Sequence, residues 1–248
     1  MKEWNLVYCF SKKLLELAEV EHHKKFPIIL ECLYKSVDLN SKFHKLKLYT
    51  DSYTFEFVKE LDIEIKVIDY LPFRFLDDMK IQTLPKLEQN EVLIDPDVFL
   101  FKKLNIEEGY DLILERFDSI DEWWYNIERE LSKPFKFSKL LNFSPKTGTV
   151  GNVGIMKFFN QKFMNDYIER YNTVREVAMQ EEEKLDPFPR FSVLLGQLLL
   201  RNVADDFKYS IGYSKLNIKN EYKHLSGSSK YKQSSRLDRK IGVKKTIL

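Results

Sequence analysis

The sequence predicts an α/β domain whose central sheet is mainly parallel and flanked by helices. In its first half, short β-type runs at 6–10, 45–49, 63–68 and 91–94 alternate with amphipathic helical runs. Successive parallel strands need a crossover connection, usually a helix, so this alternation is typical of a parallel sheet. The 248 residues suffice for one large core. We therefore expect a single domain over residues 1–229, followed by a basic, flexible tail over 230–248.

The individual elements follow from local signals. The apolar strand 6–10 is closed by Ser11, and Pro27 fits the first turn of the next helix. Pro85 stops the helical stretch 77–84 before the strand 91–94. The second half is less regular. Its strand candidate is 111–114, and its two helical segments are marked by aromatic and leucine residues at helical spacing: Phe159, Phe163, Tyr167 and Tyr171, then Phe191, Leu194, Leu195, Leu198 and Leu199.

Composition excludes several functional classes. The formal net charge is only +2, which provides no global electrostatic basis for binding nucleic acid. No apolar run approaches the ~20 residues that span a bilayer, and the start lacks the layout of a signal peptide. We expect a cytoplasmic protein in which Cys9 and Cys32 are buried free thiols. The basic tail fits peripheral contact with an anionic membrane and fits plain disorder about equally well.

The strongest chemical signal is a pair of acids after the fourth strand. Asp95 and Asp97 are two residues apart, and in an extended chain such residues point to the same side. Hard cations such as Mg²⁺ or Mn²⁺ take carboxylate oxygens together with phosphate oxygens of a bound nucleotide. In isolation, an Asp-X-Asp after a strand is more often a simple turn.

Ligands of parallel sheets bind outside the carboxyl ends of the strands. This rule places Ser11, Asp51 and Asp95 at one rim of the sheet, and Tyr8, near the end of the first strand, joins them in the predicted cofactor-binding set.

A second constellation lies near the C-terminus. His224 can complete a Mn²⁺ site, Gly227 lets backbone N–H groups approach a phosphate, and Lys230 supplies positive charge for a diphosphate. The alternative is a solvated loop at the start of a disordered tail. A P-loop is excluded, because Gly227 and Lys230 lack the spacing of that motif.

Together these motifs resemble the GT-A glycosyltransferases, and the His-X-X-Gly-X-X-Lys element at 224–230 is similar to family 8, the group that includes glycogenin and bacterial lipopolysaccharide galactosyltransferases. The resemblance covers about the whole chain and depends on the order of short motifs. It implies a GT-A (Rossmann-like) fold, Mn²⁺ or Mg²⁺ held by Asp95, Asp97 and His224, and a nucleotide sugar donor, with a UDP-sugar expected. The implied acceptor is a glycan or glycolipid.

The same resemblance assigns further residues. Asn152 and Gly154 match the family's Asn-X-Gly segment, which contacts the donor sugar, and Lys80 lies where relatives carry a basic residue. A family-8 enzyme would retain the anomeric configuration, with Gln197 or Asn152 lining the reacting face. Relatives often carry an acid before this glutamine, whereas here Gly196 stands in that place.

Other interpretations stay open. An inverting enzyme would need a general base, for which Glu115 and Asp118 are candidates. Trp123 and Trp124 fit stacking on an acceptor sugar or anchoring of a helix. The rival functions are a sugar-phosphate nucleotidyltransferase and a non-catalytic nucleotide-sugar-binding relative. The first would normally show a glycine-rich basic loop after the first strand.

Overall fold

The computed structural model describes residues 2–13, 26–68, 75, 77–119, 137–142, 147–180, 194–216 and 220–225. Several predicted features lie outside these residues, namely Trp123, Trp124, Gly227, Lys230 and the tail 230–248. In the described part of the chain, the strands are β1 (Asn5–Phe10), β2 (Leu46–Thr50), β3 (Glu64–Val67), β4 (Glu91–Ile94), β5 (Val98–Leu100), β6 (Leu112–Ser119), β7 (Thr149–Phe158), β8 (Ile211–Tyr213) and β9 (Tyr222–His224).

Five α-helices that lie wholly within the described residues connect and flank these strands, together with two short 3₁₀ turns and one π-helical turn there. The α-helices are α1 (Phe26–Asn40), α2 (Ser52–Val58), α3 (Asp78–Thr83), α4 (Gln161–Met179) and α5 (Leu199–Phe207). The π-helical turn, Leu194–Leu198, leads directly into α5. None of the helices in the described ranges is long and apolar enough to cross a membrane.

Seven strands form the central sheet in the order β3-β2-β1-β4-β7-β6-β8. β1 pairs in parallel with β2 and β4, β2 with β3, and β6 with β8, whereas β7 is antiparallel to both of its neighbours. The predicted class, a mixed α/β domain with a mostly parallel sheet between helices, is therefore confirmed. The sequence did not indicate the antiparallel β7, nor that β6 continues to Ser119.

The alternation of side chains along β1 shows how the sheet buries its two faces. Val7 and Cys9 join a core cluster that includes Tyr167 of α4 and Val203 of α5. Tyr8 and its alternate neighbours on the strand join the other cluster, with side chains of α1 and α2. Burying each large apolar side chain contributes about 1.5–3 kcal/mol. Both cysteines are buried and free, as predicted.

The hydroxyl of Tyr8 lies in a polar network inside the core. It is within 3.0 Å of Ser36 Oγ and accepts a hydrogen bond of 2.7 Å from Asn40 Nδ2. Ser36 in turn donates to the carbonyl of Val98, and Leu100 N donates to Asn40 Oδ1. Tyr8 is fully buried, and burial raises its pKa to about 12. This corrects the predicted cofactor contact, because the side chain joins α1 to β5 instead of reaching the rim.

In the part of the chain that the structure describes, the second sheet consists of β5 and β9, paired antiparallel, with Val98 opposite His224. Leu225 N also donates to the carbonyl of Asp97 at 3.1 Å. These contacts join the segment after β4 to a strand more than a hundred residues later. The small sheet is therefore the element that brings His224 of the second predicted constellation to the acid pair.

Candidate metal centre

The three predicted metal ligands converge at the rim of the sheet. One ligand atom from each of Asp95, Asp97 and His224 lies within 4.8 Å of the other two, and His224 Nε2 is 3.5 Å from Asp97 Oδ1. Asp97 is 3% exposed, and the side chains of Asp95 and His224 are 20% and 7% exposed. Two carboxylates and an imidazole form a donor set that suits a divalent cation such as Mn²⁺.

Backbone hydrogen bonds hold the two acids in place. Asp95 N donates to the carbonyl of Gly154 on β7, and Val98 N donates back to the carbonyl of Asp95. Asp95 and Asp97 therefore occupy the turn in which the chain leaves the central sheet at β4 and enters the small sheet at β5. His224 reaches them because β9 pairs with β5 across from Val98.

The electrostatics of His224 follow from its neighbours. Burial disfavours its charged form, but the carboxylates of Asp97 and Glu115 outweigh burial and raise the pKa of His224 to about 10. In the absence of a cation the ring is therefore protonated at neutral pH and lies between two acids. The site favours positive charge at the position where Nε2 faces Asp97.

Glu115 lies on the other side of the imidazole. Its Oε2 is 2.7 Å from His224 Nδ1, and its Oε1 accepts hydrogen bonds from Tyr222 Oη at 3.1 Å and from Arg116 Nη1. Glu115 is only 1% exposed. The interpretation of Glu115 as a general base that faces an acceptor is therefore not supported by its position. It remains open for Asp118, which bonds Arg116 and Asn152.

A bulge in β7 creates the space for this arrangement. Leu114 pairs with Met156 and Arg116 with Asn152, so one residue of β6, Glu115, faces three residues of β7, 153–155. Bulges often occur beside active sites, where they redirect the chain. A Cβ on Gly154 would lie 2.2 Å from Glu115 Oε2 and 2.7 Å from His224 Cε1. Glycine at this position thus permits the close approach of both side chains.

We expect Gly154→Ala to lower the free energy of unfolding by about 1–3 kcal/mol, because the new methyl group must displace the buried carboxylate of Glu115. That carboxylate makes hydrogen bonds with Arg116, Tyr222 and His224. Urea unfolding measures the change. Gly151→Ala on the same strand is the comparison variant: its Cβ would lie 2.0 Å from Leu114 Cδ1 and 3.3 Å from Leu114 Cγ, so it disturbs a buried apolar side chain and not the carboxylate. Equal stability of Gly154→Ala and the wild type would contradict the packing described here.

Lys80 and Asp77 extend the site along α3. Lys80 Nζ lies 2.6 Å from Asp95 Oδ1 and donates to the carbonyl of Val153. Burial disfavours its charge, but Asp95 and Asp77 together raise the pKa of Lys80 above its ordinary value. The predicted basic residue therefore lies beside the acid pair.

Asp77 is a charged group that the sequence interpretation missed. It precedes α3, as a capping residue would, yet its side chain makes no capping hydrogen bond. It is 7% exposed and packs against Gly196, whose missing Cβ would lie 2.7 Å from Asp77 Oδ2. Burial is the main reason that the pKa of Asp77 rises to about 7; Lys80 opposes the rise, and Asp95 and Asp78 add to it. In the sequence it was only the first residue of the predicted helical stretch 77–84.

The remaining predicted residues have individual placements. Asn152 is 7% exposed; its Nδ2 donates to Asp118 Oδ2, and its Oδ1 accepts from Gly154 N, so its amide is fixed beside the bulge. Gln197 is half-buried in the π-helical turn. Ser11 is 3% exposed. Asp51 caps α2, with its oxygens accepting from the backbone and the hydroxyl of Thr54. The capping role of Asp51 was not anticipated.

No protein-family model matches the chain, and no curated protein matches its sequence. Solved structures with a similar fold include a glycosyltransferase and nucleotidyltransferases. The glycosyltransferase GlyE of Streptococcus pneumoniae TIGR4 matches at 12% identity with a TM-score of 0.46, over 97% of this chain and 51% of GlyE. The chain thus spans about half the length of that protein.

Two further structures match over almost their whole length. The CTP:phosphocholine cytidylyltransferase LicC of Streptococcus pneumoniae shows 10% identity and a TM-score of 0.44, over 95% of this chain and 99% of LicC. The 4-diphosphocytidyl-2C-methyl-D-erythritol synthase of Anaerococcus prevotii DSM 20548 shows 11% identity and a TM-score of 0.44, over 96% and 99%. At such identities the likeness concerns the fold, and membership of family 8 is not shown by it.

Proposed function

We propose that the chain is a metal-dependent glycosyltransferase of the GT-A type, which transfers a hexose from a nucleotide diphosphate sugar to a hydroxyl of a glycan or glycolipid. A UDP-sugar is the expected donor. The observation that supports this proposal most strongly is the convergence of Asp95, Asp97 and His224 within 4.8 Å at the rim of the sheet. The three side chains together offer two carboxylates and an imidazole, the donor types that a divalent cation such as Mn²⁺ takes.

The chemistry follows from where charge develops. In the transfer, the bond from the anomeric carbon to the diphosphate oxygen breaks, a bond to the acceptor oxygen forms, and the proton of the acceptor hydroxyl passes to the departing diphosphate. A divalent cation bound by Asp95, Asp97 and His224 would stabilise the negative charge on the departing diphosphate. Lys80 lies beside Asp95 and adds fixed positive charge at the same rim.

The donor sugar would lie along the bulge of β7. The amide of Asn152 is held by Asp118 and Gly154 N, so it is oriented before any substrate binds. Such preorganisation lowers the reorganisation that the transition state requires. On the family-8 analogy, Asn152 or Gln197 lines the reacting face of the sugar, and the product retains the anomeric configuration.

One observation disfavours the nucleotidyltransferase alternative. That function would use basic residues directly after β1, yet Lys12 Nζ lies over the rings of Phe26 and Phe57 at 5.2 and 4.3 Å and donates to Tyr53 Oη at 3.1 Å. Its ammonium group is thus engaged by an aromatic cluster, and no glycine follows β1 before Lys12 and Lys13. The non-catalytic alternative is left to experiment.

The test is to incubate the protein with a panel of nucleotide sugars, with and without Mn²⁺, and to measure the release of nucleoside diphosphate by chromatography. We expect release that depends on Mn²⁺ and increases with a glycan or glycolipid acceptor. Release of pyrophosphate from a nucleoside triphosphate and a sugar phosphate would instead support the nucleotidyltransferase. Binding of a nucleotide sugar without turnover would support the non-catalytic relative.

A further inference from the structure

The contact between Glu115 and His224 determines which imidazole nitrogen faces the acid pair. Nδ1 lies 2.7 Å from Glu115 Oε2, and Nε2 lies 3.5 Å from Asp97 Oδ1. The two nitrogens point to different sides of the ring, so only one of them is available to a cation near Asp97. A rotated ring would present carbon to one of the two carboxylates and lose a buried hydrogen bond.

Glu115 is itself held from several directions. Tyr222 Oη and Arg116 Nη1 donate to its Oε1, which leaves Oε2 for the imidazole. The absent Cβ of Gly154 provides room for Oε2 at this point. Because the carboxylate is fully enclosed and its neighbours are donors, its position is set by the fold before any ligand arrives. The hydrogen bond to Glu115, on β6, therefore fixes the orientation of the His224 ring.

We propose that Glu115 is a positioning residue of the centre: its carboxylate holds the Nδ1–H of His224 and thereby directs Nε2 toward the cation site. The cation site itself rests on the proposed function. In known metal sites, a carboxylate that accepts the second N–H of a ligating histidine sets the tautomer and increases the basicity of the ligand, and its loss costs about 10–100-fold in metal affinity. Glu115 lies on the far side of the ring from Asp97, so it acts through His224 and not as a fourth ligand.

The first experiment compares wild type, Glu115→Gln and the control Glu107→Gln by titration with Mn²⁺ alone, followed by electron paramagnetic resonance. Glutamine offers one acceptor oxygen where glutamate offers two, so it cannot serve His224 and the Arg116–Tyr222 pair at once. We expect the dissociation constant for Mn²⁺ to increase by about 10–100-fold in Glu115→Gln. Glu107→Gln makes the same chemical change on an exposed residue that pairs with Lys215, and we expect a change of less than about 3-fold, which is under 1 kcal/mol.

The second experiment reads the orientation of the ring without any metal. In metal-free protein labelled with ¹⁵N-histidine, we expect the Hδ1 proton of His224 to resonate far downfield, as a proton bonded to a carboxylate does, and to lose this shift in Glu115→Gln. Circular dichroism establishes that the variant is folded. If the variant is not folded, the Hδ1 resonance of His224 in the wild type alone tests whether the ring bonds a carboxylate.

A wild-type His224 without a carboxylate-bonded Hδ1 overturns the inference, and so does a folded Glu115→Gln variant that binds Mn²⁺ as tightly as the wild type. If the wild type binds no Mn²⁺, the proposed function loses its metal site, whereas the histidine spectrum still tests the positioning by Glu115. The two experiments thus distinguish failure of the proposed metal site from failure of the positioning role of Glu115.

Discussion

Asp97→Asn is expected to reduce the Mn²⁺-dependent turnover of the nucleotide sugar by about 10²–10³-fold while leaving the protein folded. Asp97 is 3% exposed, and its carboxylate lies 3.5 Å from His224 Nε2. The amide has nearly the same shape, but it lacks the negative charge with which the carboxylate attracts a divalent cation. A metal supplies several kcal/mol of transition-state stabilisation, and each 1.36 kcal/mol corresponds to a factor of ten in rate.

The measurement is the rate of nucleoside diphosphate release at several Mn²⁺ concentrations, together with Mn²⁺ binding by electron paramagnetic resonance. Asp62→Asn is the matched control, since Asp62 is exposed and lies on the loop before β3. We expect the control to behave as the wild type does. A folded Asp97→Asn protein with an unchanged rate and an unchanged Mn²⁺ requirement would remove the acid pair from the mechanism.

Asp77→Asn is expected to make the metal-free protein more stable at pH 8 by about 2–4 kcal/mol and to give no gain in stability at pH 4. The folded pKa of Asp77 is about 7, above the ordinary value of 3.8, chiefly because the carboxyl group is buried. Between these two values the unfolded chain has released the proton and the folded protein still holds it, so stability falls as pH rises through this window. A shift of one pKa unit corresponds to about 1.4 kcal/mol, and burial of the new amide offsets part of the gain.

Several titratable groups surround Asp77 and interact with its charge. They are Lys80 and Asp78 on α3, Asp95 after β4, Cys9 on β1, and the hydroxyls of Tyr167 and Tyr171 on α4. Lys80 keeps its charge throughout the window, because Asp95 pairs with it.

Urea unfolding at pH 4, 5, 6, 7 and 8 in the presence of a chelator measures the effect. Asp62→Asn, on an exposed residue, should follow the wild-type curve. Parallel curves for Asp77→Asn and the wild type would show that Asp77 does not titrate as its burial implies.

The sequence predicted the first half of the fold well because the signals there are local. The run 91–94 coincides with β4, and the run 6–10 lies within β1. The alternation of strands and helices was sufficient to infer parallel pairing, which follows from connection length alone. The second half was harder, since the continuation of β6 beyond Leu114 carries charged residues at 115, 116 and 118 that show no simple hydrophobic pattern.

The candidate site divides in the same way. Asp95 and Asp97 were visible as two acids at a strand end, and the strand-end rule located them at the rim. The prediction that Tyr8 contacts the cofactor was wrong, because the strand pattern does not reveal where a polar side-chain atom finds its hydrogen-bond partners. The partners of the Tyr8 hydroxyl are Ser36 and Asn40 of α1, inside the core. Glu115 was interpreted as a candidate general base because its partners, Tyr222 and His224, are more than a hundred residues away in the sequence.

By itself, the sequence determined the fold class, the strand ends and the types of residue available for binding a cation. The tertiary structure decided which of them meet. Pairing of β5 with β9 brings His224 to Asp97, the bulge in β7 makes room at Gly154, and Glu115 then orients the ring. These choices depend on long-range hydrogen bonds and on steric fit, and neither leaves a periodic signal along the chain. Asp95 and Asp97 become a candidate metal centre through contacts with residues that only the folded chain brings to them.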